Sequence, residues 1–262
     1  MSATTATLDL SAPTVPLSRI VKVELRKMFD TRSGFWLMTS IAIAALLATI
    51  GVILFLPDDN FGFGAFGTAI GVPMAVLLPI IAILAVTGEW SQRTGLVTFT
   101  LLPHRTQVIT AKVIAAVSVG IAGMLVAFAI GAVGNVVGSS IAGVDIRWDT
   151  SLGDLLKIIL ANVLGLLVGF MLGVLIRNSA GAIVGYFVYS LVLPGIFGFL
   201  AATQDWFEKI QPWIDFNFAQ TPLFEDAGPS GEQWAQIGVS GVIWLIIPMA
   251  IGIWAVLRSE VK

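Results

Sequence analysis

The chain has no cysteine and one histidine, His104, among 262 residues. It therefore cannot form a disulfide, an iron–sulfur cluster, a thiolate zinc site or a multi-histidine metal centre of its own. Charge is also scarce. Asp, Glu, Lys and Arg make up 11% of the residues, against roughly 25% in soluble domains. The formal net charge of −2 offers no basic field for nucleic acid. Residues 113 to 144 carry no charged side chain. A GxxxxGK[ST] phosphate loop and an HExxH zinc motif are both missing, so the chain can neither cradle a nucleotide by that device nor act as a zinc protease.

Apolar residues fill the space that charge leaves. They account for 57% of the chain, and the mean hydropathy is +0.94. This composition predicts an all-α integral membrane protein. Residues 1–16, MSATTATLDLSAPTVP, are small, polar and Pro-punctuated, with no basic n-region ahead of an apolar core. They read as a disordered tail and not as a cleavable signal. Residues 17–262 read as one membrane domain. Six apolar runs, at 35–57, 66–88, 113–139, 155–176, 179–202 and 235–257, approach or exceed the ~20 residues needed to cross a bilayer.

Lys and Arg set the orientation. With the N-terminus inside, Arg19, Lys22, Arg26, Lys27, Arg32, Arg93, Arg105, Lys112, Arg177, Arg258 and Lys262 face the cytoplasm, and only Arg147, Lys157 and Lys209 face outward. Both termini are then cytoplasmic. Ahead of the first run, Leu17, Val21, Leu25 and Met28 recur at helical spacing while Arg19, Lys22 and Arg26 fall on another face. This is the pattern of an amphipathic helix lying in the membrane interface; a positively charged flank that orients the first span is the alternative.

Glycine pairs four residues apart, Gly67/Gly71, Gly134/Gly138, Gly165/Gly169/Gly173 and Gly181/Gly185, mark faces where helices can approach closely. Pro73, Pro79, Pro194 and Pro248 fall within runs and are expected to kink them. The connection 203–234 carries Trp206, Phe207, Trp213, Phe216 and Phe218 among acidic residues. It reads as an aromatic belt at the outer interface, with re-entry beside the sixth span left open. No titratable group lies deep in any run, which argues against proton coupling or voltage sensing. The polar residues that do lie there are few: Asn135, Asn162, Tyr186 and Tyr189. They serve either interhelical hydrogen bonds or a cargo path. A path so apolar suits a lipid-like, drug-like or amphipathic peptide cargo.

The most polar inner connection is GEWSQRTGLVTFTLLPHRTQVITAK, from Gly88 to Lys112. Glu89, Trp90, Gln92, Arg93 and Thr94 suit one short helical turn closed by Gly95. Such a turn is either a peg for a protein groove or an interfacial anchor. Together with VELRKMFDTRSGFW (Val23–Trp36), the stretch GEWSQRTG, the stretch LLPHRTQVITAK, the six-span layout, the long outer connection after the fifth span and the short basic tail LRSEVK, this loop resembles the permease subunit of ABC-2-type ATP-binding-cassette exporters. Thr94 and Leu96 flank Gly95 where that family more often has Gly-Thr.

The resemblance implies a multi-pass subunit of a bacterial plasma membrane that binds no cofactor or metal itself. Two copies of a separate ATPase subunit would supply ATP and Mg chemistry. A second permease chain, identical or homologous, would complete the unit among membrane lipids, and cargo would pass along faces drawn from the first, second and fifth spans. Glu89, Trp90, Gln92 and Arg93 would carry ATPase docking, assisted by Arg26, Lys27 and Phe29. Two other readings stand beside it. One is a membrane enzyme acting on lipid, which requires Asp145, Asp149 and Asp154 to cluster. The other is a non-transporting scaffold or sensor subunit.

Overall fold

A computed structural model describes residues 15–30, 32–57, 60–91, 105–225 and 227–258; the side chains of Ser33, Glu89, Trp90, Ser91 and Arg105 lie outside that description. The helices in chain order are α1 (Leu17–Asp30), α2 (Arg32–Phe55), α3 (Phe63–Ser91), α4 (Arg105–Ala142) and α5 (Leu152–Ile176). There follow α6 (Ser179–Thr203), the short α7 (Asp205–Ile214) and α8 (Phe216–Ala219), and α9 (Gly231–Arg258). No strand occurs among the described residues. Six helices, α2 to α6 and α9, are long and apolar enough to cross a membrane. The chain is an all-α, multi-pass membrane protein.

Five of the six spans begin earlier than hydropathy marks them, α4 and α9 by the most. α4 starts at Arg105 and not at 113, and α9 at Gly231 and not at 235. Hydropathy marks the hydrocarbon edge, whereas helical hydrogen bonding continues into the polar flank. At 38 residues, α4 is ~57 Å long at 1.5 Å per residue, well beyond a ~30 Å hydrocarbon core. Its first turns stay packed in the bundle, with Val108, Ile109 and Ala111 buried, and Lys112 falls inside a helix.

α3 is the central post. Phe66, Ile70, Met74, Leu78 and Ala82 are each fully buried and recur every four residues, followed by Val86 at 2% exposure. This stripe meets Ile41 and Ala45 of α2, Met124 and Ala127 of α4, and Leu166 and Phe170 of α5. α5 approaches closest, because glycine lines its contact face. A Cβ placed on Gly169 would lie 2.6 Å from the Pro79 carbonyl oxygen and 2.8 Å from Pro79 Cα, and one on Gly173 would lie 3.3 Å from Val86 Cβ. Gly134 and Gly138 of α4 likewise receive Thr49, Phe61 and Phe66. Gly67 and Gly71 do not follow the pattern: a Cβ on either meets nothing within 4 Å.

A proline in a span leaves a backbone carbonyl without its helical donor, and at Pro79, Pro194 and Pro248 the fold meets the deficit in two ways. In α3, Pro79 frees the carbonyl of Ala75. The hydroxyl of Tyr186, from α6, donates to that oxygen at 2.6 Å. In α6 and α9 the helix widens instead. A π turn over Val188–Val192 closes two residues before Pro194, and one over Val242–Ile246 closes two residues before Pro248. The wider turn makes room for the pyrrolidine ring that would otherwise strike the preceding turn.

α5 and α6 form a tight hairpin at the end of the bundle where the last turns of α9 pack on Val174 and Leu175. Arg177 ends α5 at φ 55 with its N–H on Gly173 O, and Asn178 caps α6 by accepting from Gly181 N at 2.9 Å. At the opposite end, the 143–151 segment straps the α2–α3 turn. Phe63 N and Asn135 Nδ2 both donate to Arg147 O, at 3.1 and 2.9 Å. Arg147 Nε donates to Phe61 O at 2.8 Å, and Gly64 N to Asp149 Oδ1 at 2.7 Å.

The connection after α6 turns back into the bundle. α7 runs down beside α6, with Phe207 on Phe197 at 5.7 Å between ring centroids. Asn217 Nδ2 at its tip reaches Tyr189 O at 3.3 Å, and Trp244 Nε1 of α9 donates to Ile214 O at 2.6 Å. Tyr189 lies fourteen residues below Thr203, a descent of ~21 Å along α6. The connection is thus re-entrant, and the expected surface belt is only partly one: Trp206 is 61% exposed, while Phe207 and Phe216 are 5% and 1% exposed and belong to the core.

The Gly169 contact gives a direct check on packing. Gly169→Ala drives a methyl into Pro79 backbone and is expected to destabilise the chain by about 1–3 kcal/mol, read as a lower unfolding midpoint in detergent. Gly71→Ala, which meets open space, is expected to leave that midpoint unchanged.

Candidate coupling site and buried polar cluster

α1 does not lie free of the bundle. It docks along α4 and α2 with Ile20 and Glu24 turned inward. Ile20, Glu24 and Met28 follow one another every fourth residue, so a carboxylate occupies the middle of an otherwise apolar contact stripe. Lys112 of α4 meets it: Nζ lies 2.5 Å from Glu24 Oε2, and the two side chains are each 7% exposed. Lys112 Nζ also reaches Ala85 O of α3 at 3.3 Å. Lys27 Nζ holds the second oxygen, Glu24 Oε1, at 2.8 Å. Burial alone would raise the Glu24 pKa; the Lys112 and Lys27 ammonium groups more than offset it and hold the carboxyl below its ordinary range.

One buried ammonium therefore joins three helices, α1, α3 and α4. Ala85 lies one turn before Glu89, and Lys112 lies two turns into α4. The pair sits between the two helix ends that bracket 92–104. Of the residues read from sequence as docking groups, Glu89 and Trp90 extend α3 as its last turn, with side chains outside the described part. Gln92 and Arg93 lie outside the described residues altogether. Arg26 is exposed and paired with Asp30 at 2.7 Å, Lys27 with Glu24, and Phe29 is 51% exposed. Glu24, which sequence reading passed over, holds Lys27 and ties α1 to Lys112 of α4.

A second polar group lies midway through the bundle. Tyr186 and Tyr189 have ring centroids 6.3 Å apart, and Trp244 is 5.6 Å from Tyr189. Beneath them is the re-entrant tip. Asp215, 2% exposed, accepts from Asn217 N at 3.0 Å and Phe218 N at 3.1 Å, and from Gln211 Nε2 at 3.2 Å. It caps α8 inside the protein. A carboxylate thus lies buried within the outer connection, whose re-entry the sequence leaves open. Sequence hydropathy misses it because the α7–α8 turn is too short to register as a span.

The four polar candidates within the spans do not form one site. Tyr186 spends its hydroxyl on the Ala75 carbonyl. Asn135 holds Arg147 O far from the tyrosines, and Asn162 Nδ2 donates back to Ile158 O at 2.9 Å. Three buried atoms among them have no protein partner: Asn135 Oδ1, Asn162 Oδ1 and Tyr189 Oη. These keep hydrogen-bonding capacity in reserve. The outer carboxylates have local duties: Asp149 binds Gly64 N, and Asp154 closes a capping box with Ser151 and pairs with Lys157 at 2.9 Å. Among the described residues no three His, Cys, Asp or Glu side chains are placed to share a metal ion. No protein-family model matches the chain, and no curated protein matches it either.

Removing one member of a buried ion pair leaves the other charge stranded, a loss of about 3–5 kcal/mol. Lys112→Met is therefore expected to lower the unfolding free energy by that order, and Lys112→Met with Glu24→Leu to recover most of it. The acid response checks the sign. Because the folded-state pKa of Glu24 is depressed, its contribution is complete above the unfolded carboxyl pKa of about 4.3. It is lost as pH falls through the lower folded value. Wild type is expected to lose stability below about pH 4, and the doubly substituted chain to lose less. Equal acid sensitivity in both chains contradicts the assignment.

Proposed function

We propose that this chain is the membrane-spanning permease subunit of an ATP-binding-cassette exporter of the ABC-2 type, driven by a separate ATPase, in the plasma membrane of a bacterium. The observation that carries the reading is the Glu24–Lys112–Ala85 junction. It makes α1 and the two helix ends flanking 92–104 a single mechanical unit.

By the Lys and Arg distribution that end faces the cytoplasm, and both termini lie there. α1 then rests at the inner interface with Arg19 and Lys22 outward. Without a phosphate loop of its own, the chain takes its energy from a partner that binds nucleotide. Glu89, Trp90, Gln92 and Arg93 form the contact, and α1 shares the load through Lys112. ATP-driven closure of the ATPases shifts the ends of α3 and α4 and biases the bundle between inward- and outward-open states. Cargo passes beside α2, α3 and α6 against a second permease chain. The spare hydrogen-bonding atoms Asn162 Oδ1 and Tyr189 Oη offer it polar contacts in an otherwise apolar wall. An amphipathic or hydrophobic molecule suits such a wall. The outer carboxylates are spent on capping, so the lipid-enzyme reading draws no support from them.

Glu89→Ala and Arg93→Ala are expected to leave membrane insertion and self-association intact while separating ATP turnover by the complex from cargo movement. Transport at the wild-type rate by both variants would refute the docking role.

A further inference from the structure

A groove of about 370 Å³ opens on the flank of the bundle where α1, α2 and α4 meet. That is within the ~300–1,000 Å³ of small-molecule sites. Leu25 and Phe29 of α1 roof it, Met38 and Ala42 of α2 form one wall, and Ala122 and Val126 of α4 the other. The one hydroxyl in the lining, on Ser118, is turned to Ile114 O at 2.7 Å, which leaves the walls apolar. On the α4 side the lining runs from Ser118 to Val126, eight residues or ~12 Å along the helix axis. The shape is a slot parallel to the spans, closed at one end by α1.

The charge at that closed end is specific. Lys22, Leu25, Arg26 and Phe29 are spaced by three and four residues, so they share one face of α1. The two apolar members roof the groove, and the two cations lie beside them on the same face of α1, with Arg19 one turn further on. Glu24 is on the opposite, buried side and already neutralised by Lys112 and Lys27, and Asp30 is paired with Arg26. Lys22 and Arg19 are exposed, with no carboxylate partner among the described residues. An apolar slot aligned with lipid chains, under a rim of unpaired positive charge, is complementary to one kind of molecule.

We infer that the α1–α2–α4 groove is a binding site for an anionic phospholipid. One acyl chain lies between Ala42 and Ala122, and the headgroup phosphate rests on Lys22 and Arg19. The bound lipid fills the space beneath α1 and holds that helix against the bundle from the side opposite the Glu24–Lys112 pair. The inference rests on the membrane assignment and on none of the transport reading.

The test uses the purified full chain, equilibrated with vesicles of equimolar phosphatidylglycerol and phosphatidylcholine, then released in mild detergent. Native mass spectrometry counts the lipids retained. Wild type is expected to keep phosphatidylglycerol in preference to phosphatidylcholine. Lys22→Gln with Arg19→Gln is expected to lower that preference roughly 25-fold, since each cation near an anionic surface is worth about a fivefold gain, while still holding lipid. Ala122→Phe, filling the slot, is expected to reduce retention of both lipids. Val126→Phe serves the same purpose should Ala122→Phe misfold, as judged by circular dichroism. Equal retention of the two lipids by wild type overturns the inference. So does a preference that survives loss of both cations, undiminished retention in a folded slot-filled variant, or a second chain cross-linking into the groove.

Discussion

Inside a lipid bilayer an unpaired polar group has nowhere to turn, and this constraint organises the whole molecule. The carbonyl that Pro79 strands is taken by a tyrosine from another helix. Pro194 and Pro248 are each preceded by a π turn. The re-entrant α7–α8 turn, which has no lipid-compatible backbone of its own, is capped by Asp215 and closed from above and beside by Asn217 and Trp244. The buried ammonium of Lys112 meets a carboxylate and a carbonyl. The π turns and the Asp215 cap are local repairs, whereas Tyr186, Asn217, Trp244 and Lys112 reach from distant parts of the chain, and each of these fixes how two elements sit.

That pattern has a mechanical consequence. Close backbone contact along the α3–α5 seam and the Tyr186 hydrogen bond make the centre of the bundle stiff. The Glu24–Lys112 pair ties α1 into the same body, so that on the proposed reading a push on α1 or on the ends of α3 and α4 reaches the central post. Midway along, Asn162 and Tyr189 retain unspent hydrogen-bonding atoms. On the proposed reading the Glu24–Lys112 junction serves as a handle, and these atoms as polar contacts within the bundle.

Much of the architecture is legible in the amino-acid order. Six apolar runs locate the six spans, and Gly165, Gly169 and Gly173 mark the closest seam. What escapes such reading is long-range pairing. Glu24 reads as one charge in a charged segment. Only its place between Ile20 and Met28 on the apolar stripe hints at burial, and its partner lies 88 residues away. Lys112 reads as an orienting cation because hydropathy ends the span at 113, whereas α4 continues to Arg105. Asp215 reads as a loop residue; the cue was Gln211 four residues before it in an aromatic helix. Gly67 and Gly71 show the opposite limit, since a pair spaced by four need not face a neighbour in the same chain.

The claim that force enters from outside the chain is open to one direct measurement. The protein can be isolated in mild detergent from the cells that make it, and its co-purifying polypeptides identified and assayed for ATP hydrolysis. The expected result is a soluble ATPase with a phosphate loop, held at one copy per permease chain and released when the 92–104 stretch is replaced by a neutral linker. Recovery of the chain alone, with cargo movement by that preparation in sealed vesicles lacking any ATPase, would contradict it.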